Sequence, residues 1–190
     1  MFAHPATPGA PQEGLAGGEV VLGIDPGLTR CGYAVLLPGR GGAVQALAMG
    51  VVRTSATAPL PQRLADLQAE VSSLIREHRP SAVAVEQVFF QTNVRTAMSV
   101  GQASGVVLAL AAASGCTVAQ YTPSQVKDAV AGWGSAGKEQ VQKMVQKRLG
   151  LASLPRPADA ADAAAIAMCH IAVAPFTRSR EAAAARGRSR

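Results

Sequence analysis

The sequence predicts an α/β fold in which a mixed five-stranded sheet carries helices on both faces. Short apolar segments near the start are separated by turns, which predicts an antiparallel meander. Further along, short apolar segments alternate with helical patterns. The predicted order is therefore β-β-β-α-β-α-β-α-α-α, with helices on both faces of one sheet.

The meander occupies the first third of the chain. The first strand covers residues 19–24 and is closed by the turn Asp25-Pro26-Gly27. The second strand covers 32–37 and ends at Pro38-Gly39, and the third covers 44–53.

The first helix is predicted over residues 61–79 because apolar residues recur there at helical spacing and Pro80 follows. The remaining elements are strands at 82–85 and 117–121, helices at 92–113, 123–131 and 138–149, and a last helix from 157 to about 174. Helix 92–113 is rich in small residues. It can pack closely either on its own sheet or against a second copy of the chain.

Composition and charge divide the 190 residues into one domain and two extensions. Residues 1–18, rich in Pro, Ala and Gly, are expected to be a disordered N-terminal extension, and 176–190 a basic flexible C-terminal tail. The domain between them spans 19–175, and the 48% hydrophobic content supports one proper core. The net charge of +6 is made up of +4 in residues 178–190, −2 in the N-terminal stretch and +4 in residues 20–177. The domain is therefore mildly basic, so nucleic acid is a permitted partner but composition does not establish it.

A membrane location is not expected, because the apolar runs are short and interrupted by Gly, Pro or charge. The first 18 residues lack the basic start and apolar core of a secretory signal. The three cysteines are scattered, without metal-ligand spacing, and are expected to be small buried hydrophobes in a reducing compartment. These features predict a cytoplasmic protein.

Four of the twelve acidic residues interrupt apolar stretches, where an unpaired carboxylate is costly. Asp25 and Glu86 each follow a buried strand, so they emerge at the same sheet edge if those strands are neighbours. Asp159 and Asp162 are three residues apart and share a helix face. Their helix is built of small residues and can lie close to the sheet, which would bring the four acids together.

Four oxygen donors without a Cys or His cluster suit Mg²⁺ or Mn²⁺ rather than zinc. Two such ions form an arrangement that cleaves phosphodiesters. Two simpler interpretations stay open: Asp25 as a turn residue and Asp159 as a helix cap. His170 follows Asp159 by eleven residues, roughly 16 Å along a helix, which is too far for a shared metal.

Several ordered motifs between about Val20 and His170 resemble the RuvC family of bacterial Holliday-junction resolvases. The motifs are Gly23-Ile24-Asp25-Pro26-Gly27 with Gly32-Tyr33, Val85-Glu86-Gln87-Val88-Phe89, Gly101-Gln102-Ala103-Ser104-Gly105, Gln125-Val126-Lys127, Gly134-Ser135-Ala136-Gly137-Lys138 and Ala158-Asp159-Ala160-Ala161-Asp162-Ala163. Asp-Pro-Gly alone is a weak signal, whereas six blocks in order are a specific one.

The resemblance implies a ribonuclease-H-like fold, a homodimer, divalent metal, four-way junction DNA as substrate and cooperation with a branch-migration complex of the RuvA and RuvB type. It implies that the four acids bind metal, that Phe89 stacks on bases to open the junction, and that Lys127 and Lys138 contact DNA. Lys143 follows on the same predicted helix as Lys138 and is a further candidate phosphate contact.

Three alternatives are weighed against a junction resolvase. A nucleotide-binding protein of the actin-like or sugar-kinase type needs a duplicated domain, and the chain is too short and has no G-x-x-x-x-G-K-[ST] motif. A noncatalytic junction-binding module would not need all four acids, and their presence here argues against it. A nuclease of the same fold acting on RNA would share the acids, but the Phe89 and lysine motifs favour the junction enzyme.

Overall fold

The computed structural model describes residues 19–87 and 94–188, and the predicted N-terminal extension lies outside them. The strands are β1 (Val21–Asp25), β2 (Arg30–Pro38), β3 (Val44–Arg53), β4 (Ala82–Glu86) and β5 (Thr117–Tyr121). The α-helices are α1 (Leu60–His78), α2 (Val94–Ala113), α3 (Pro123–Ala131), α4 (Lys138–Arg148) and α5 (Ala158–Arg188). The predicted order of strands and helices is confirmed.

The five strands form one mixed sheet in the order β3-β2-β1-β4-β5. Strands β1, β2 and β3 pair antiparallel, whereas β4 lies parallel to both β1 and β5. The carboxyl ends of β1, β4 and β5 therefore meet at one edge of the sheet, where β2 begins and β3 ends. We call this edge the acidic edge, because Asp25 and Glu86 lie on it.

Helices cover both faces of the sheet, as predicted. Successive residues of β1 and β4 alternate between two cores, since strand side chains point to opposite faces in turn. Leu22, Ile24 and Val83 belong to the core beneath α1 and α2. Val21 and Ala84 belong to the core beneath α3, α4 and α5.

Helix α5 lies unusually close to the sheet because both surfaces are made of very small residues. Six of its alanines are almost fully buried, namely Ala160, Ala161, Ala163, Ala164, Ala165 and Ala167. Opposite them, a Cβ added to Gly23 would collide with the backbone oxygen of Ala163, and one added to Gly32 with that of Asp159. Glycine at these two positions is what lets the helix approach.

The last helix continues beyond its predicted end near residue 174 and runs to Arg188, through Pro175. Alanine and arginine both have high helix propensity, so the composition that marked the terminus as a tail also supports a helix. The flexibility of residues 176–190 stays a prediction.

The expectation that no segment could span a membrane was wrong in terms of length and composition. Residues 96–113 of α2 and 158–177 of α5 are each long and apolar enough to cross one. Glycine, proline and charge were expected to interrupt any span, but α2 continues through Gly101 and Gly105 and α5 continues through Pro175. A core helix can meet the same criterion, and α5 is largely buried against the sheet.

We expect Gly23→Ala to lower the free energy of unfolding by about 3 kcal/mol or more, because its Cβ has no space beneath α5. Chemical denaturation followed by circular dichroism measures this. Gly137→Ala is the matched control: its Cβ would make only an ordinary contact with the Gln140 side chain, and the expected loss is about 1 kcal/mol or less. Equal losses for the two variants would contradict the close-packing argument.

Candidate metal centre

Asp25 and Glu86 are neighbours at the acidic edge. Strands β1 and β4 are parallel, and their last matched residues are Ile24 and Val85, directly before the two acids. The expected placement of both carboxylates at the same edge is therefore confirmed. On the far side of Glu86, the backbone N–H of Gln87 donates to the carbonyl of Tyr121 at 2.8 Å, which ties the end of β4 to β5.

The first turns of α5 bring the other two acids to the same place. Gly32 of β2 is paired with Asp25 in the sheet, and the backbone of Asp159 passes directly over Gly32. Asp162 follows one turn later and lines the same cleft as Asp25 and Glu86. The close packing of α5 thus positions the acids of the helix over those of the sheet.

The four carboxylates repel one another electrostatically. Burial, followed by the negative charges of Glu86, Asp162 and Asp159, raises the pKa of Asp25 to about 7. Burial is also the largest cause that raises the pKa of Glu86, followed by the charge of Asp162. Such a group of partly desolvated acids favours a bound cation or a proton.

Two basic side chains neutralise the acids of α5. The guanidinium of Arg30 donates to Asp159 Oδ2 through Nη2 at 2.5 Å and through Nε at 3.2 Å. This contact holds the pKa of Asp159 below its usual value. Lys138 Nζ donates to Asp162 Oδ2 at 2.7 Å, which raises the pKa of the lysine. Asp159 and Asp162 are therefore held as ion pairs.

The donor set suits a hard divalent cation. Carboxylate oxygens are the ligands that Mg²⁺ and Mn²⁺ prefer, and a cation would relieve the repulsion that raises the pKa of Asp25. Within residues 19–87 and 94–188, no three Asp, Glu, His or Cys side chains surround a common point as a formed metal site does. Asp159 and Asp162 are paired instead with Arg30 and Lys138.

A cleft of about 320 Å³ opens beside the acids and is lined by lysines as well. Its charged lining residues are Asp25, Glu86, Asp162, Lys127 and Lys138. Lys127 is carried by α3, whose start is fixed by reciprocal hydrogen bonds between Thr122 and Gln125. Acids beside lysines in an open cleft suit a phosphate ester held next to metal ligands.

Three other residues that the sequence analysis considered for the site lie away from the cleft or outside the described residues. Lys143 points along α4 to Glu139, with Nζ 2.8 Å from its carboxylate, and does not line the cleft. His170 is buried and its Nδ1 lies 2.9 Å from the Tyr121 hydroxyl, in keeping with its exclusion as a ligand. Phe89 lies outside the described residues, so its role stays a prediction.

Arg30 is the residue at the site that the sequence reasoning missed. Its partner Asp159 is 129 residues away, so the ion pair cannot be seen in local sequence. One signal was available: Arg30 is the only charged residue between Asp25 and Arg40. A lone arginine so close to a candidate metal ligand is itself a candidate for the site.

Residues 21–170 match the family described as crossover junction endodeoxyribonuclease RuvC. The chain is 51% identical over 151 residues to the crossover junction endodeoxyribonuclease RuvC of Syntrophomonas wolfei, covering 80% of this chain and 87% of the relative. It is 54% identical over 156 residues to that of Rhodococcus opacus, covering 82% of each.

Solved structures give the same relationship. The RuvC of Thermus thermophilus in complex with a Holliday junction substrate matches with a TM-score of 0.80 and 42% identity, covering 84% of this chain and 96% of that one. The yeast mitochondrial Holliday junction resolvase matches with a TM-score of 0.60, but at 16% identity this likeness concerns the fold alone. The match with the bacterial structures confirms the predicted ribonuclease-H-like fold.

The raised pKa of Asp25 predicts a pH-dependent stability of the metal-free protein. An acid whose pKa is higher in the folded state stabilises the fold at low pH, and that contribution is lost as pH rises through about 7. We expect the free energy of unfolding in EDTA to fall by about 2 to 3 kcal/mol between about pH 5 and pH 8. Urea denaturation measures it.

Asp25→Asn should remove most of this fall, because the amide does not titrate. Asp128→Asn, an exposed acid on α3, is the control and should keep the wild-type pH profile. If the Asp25 variant retained the full fall, the titrating group would lie elsewhere.

Proposed function

We propose, since the chain belongs to the crossover junction endodeoxyribonuclease RuvC family, that it resolves Holliday junctions by hydrolysing phosphodiesters at symmetric positions, in homologous recombination and DNA repair. The enzyme is a metal-dependent nuclease whose substrate is Holliday junction DNA. The observation that carries the proposal is the meeting of Asp25 and Glu86 with the acids of α5 at one sheet edge, beside a cleft with basic residues.

Asp25, Glu86, Asp159 and Asp162 are the proposed metal ligands, with Mg²⁺ as the ion and two ions per site. Bound divalent ions supply an activated water and stabilise the leaving oxygen of the phosphodiester. The chain fixes the backbone of the ligands on two strands and one helix, so the rearrangement that ion binding requires is a turn of the Asp159 and Asp162 side chains away from Arg30 and Lys138. Burial around Asp25 and Glu86 limits water access and strengthens electrostatic interactions there.

Lys127 and Lys138 are the proposed phosphate contacts next to the scissile bond, because both line the cleft beside the acids. Lys143 is proposed as a more peripheral contact, since its ammonium group pairs with Glu139 on the helix surface. Phe89 follows Glu86 by three residues and is proposed, on the family resemblance, to stack on bases at the junction.

A homodimer is proposed because two opposed strands must be cut at symmetric positions, which requires two active sites related by a two-fold axis. Helix α2 supports it. Its buried side, with Ala103, Val107 and Ala111, packs on its own sheet, while Met98 on another side is 58% exposed. A partner complex of the RuvA and RuvB type and a cytoplasmic location complete the proposal.

The first experiment incubates the purified chain with a synthetic four-way junction or with linear duplex, with Mg²⁺ or Mn²⁺ and with EDTA. Paired symmetric nicks on the junction alone, lost in EDTA, are expected. Junction binding without cleavage in every metal would instead indicate a noncatalytic binding protein. Cleavage of RNA in preference to the junction would assign a different substrate to the same fold.

Asp25→Asn and Glu86→Gln should each lower single-turnover cleavage by a factor of about 100 or more, because several kcal/mol of transition-state stabilisation depend on the metal ligands. Junction binding in Ca²⁺ should persist, since neither acid is a phosphate ligand. Quenched-flow cleavage and fluorescence anisotropy measure the two quantities. Asp128→Asn should cleave at the wild-type rate; a similar loss in that variant would mean the effect is not specific to the site.

Lys138 and Lys143 share helix α4 and so form a matched pair. Lys138→Gln should reduce cleavage about tenfold or more, because Lys138 lines the cleft and contacts Asp162; each 1.4 kcal/mol corresponds to a factor of about ten. Lys143→Gln should reduce it by about twofold, since an exposed pair contributes little. Equal effects would argue against the placement of the scissile phosphate next to Lys138.

A further inference from the structure

Three arginines gather at the acidic edge on the side of β1 away from Lys127 and Lys138. Arg30 begins β2 and Arg53 ends β3, and the two are paired directly across the antiparallel ladder. Arg63 is the fourth residue of α1 and lies close by. We call Arg30, Arg53 and Arg63 the arginine corner.

Hydrogen bonds fix Arg63 against the two strand ends. Its Nε donates to Thr54 Oγ1 at 3.0 Å and its Nη2 to Thr29 Oγ1 at 2.6 Å. Thr29 directly precedes Arg30 in the chain and Thr54 directly follows Arg53. The guanidinium of Arg63 is held between these two threonines. Thr54 is itself buried and anchored to the carbonyl of Leu28. The position of Arg63 is therefore preorganised.

The charge of this corner is largely uncompensated. Among the ion pairs of the described residues, the corner takes part in one, that of Arg30 with Asp159. Arg63 is bound by two neutral hydroxyls and Arg53 is exposed. Neighbouring cations repel one another, and a basic residue near a helix start is opposed by the helix dipole. An anion at this corner would offset both costs.

We propose that the arginine corner binds a backbone phosphate of the junction DNA, on the opposite side of the acids from the lysines. This rests on the proposed function. In the sheet, β2 and β3 lie on one side of β1, whereas Glu86 and the strand leading to α3 lie on the other. A strand whose scissile phosphate lies at the acids must continue in both directions, so it needs contacts on both sides.

Arginine suits this role because its planar group can bind two phosphate oxygens at once. Arg63 already uses two of its donors on the threonines and keeps others available. Such contacts set the position of the backbone and add affinity that does not depend on sequence.

The test measures binding of a fluorescent four-way junction in Ca²⁺ at a series of salt concentrations, for Arg53→Gln, Arg63→Gln and Arg63→Lys. At low salt, each glutamine variant should bind about fivefold more weakly, and the slope of log K against log salt should fall by about 1 for each arginine–phosphate interaction removed. Arg63→Lys should retain most of the slope, because its charge is kept. Melting temperatures check that each variant is folded.

Arg40→Gln is the matched control, because Arg40 is an exposed arginine at the other end of the same β2–β3 hairpin. It should bind like the wild type. Wild-type affinity and slope in both Arg53→Gln and Arg63→Gln, or an equal loss in Arg40→Gln, would overturn the proposal. Failure of the wild type to prefer the junction over linear duplex would instead overturn the proposed function, so the two failures are distinguishable.

Discussion

The contact of helix α5 with strands β1 and β2 is the constraint on which the site depends. Gly23 and Gly32 leave no room for a side chain, and the facing surface of α5 is alanine. The approach that results places Asp159 and Asp162 above the sheet edge that carries Asp25. It also removes water from Asp25, and this burial is the main cause of its raised pKa. One packing arrangement thus determines both the geometry and the electrostatics of the site.

Concentrating four carboxylates has a cost that the chain offsets in two ways. Asp159 and Asp162 form ion pairs with Arg30 and Lys138, whereas Asp25 and Glu86 lie deeper and have raised pKa values. Near neutral pH a substantial share of Asp25 is therefore protonated in the metal-free protein. Metal ligands must be deprotonated, so a cation bound by Asp25, as proposed, would displace that proton and its affinity would increase with pH.

The sequence predicted what depends on local pattern and failed where distant residues decide. Alternating strands and helices, and acids placed directly after apolar runs, were visible in the chain, so the order of elements and the position of Asp25 and Glu86 were predictable. The ion pair between Arg30 and Asp159 joins residues 129 apart and was not. The end of α5 was missed because alanine and arginine were taken as signs of a tail, although they also favour a helix.

Arg30 and Lys138 can each neutralise one of two anions, a carboxylate of the site or a phosphate of the substrate. Arg30 and Lys138 neutralise Asp159 and Asp162, and both cations are partly exposed beside the acids, with side-chain exposures of 36% and 65%. A carboxylate whose oxygens coordinate a cation attracts its arginine or lysine less strongly, since part of its charge is already neutralised. Each basic group would then be available to an anion at the same edge, and the phosphate of the substrate is the anion that the cleft can admit. Arg30 would join Arg53 and Arg63 in that case, so the loading of the acids and the holding of DNA on the β2–β3 side would support each other.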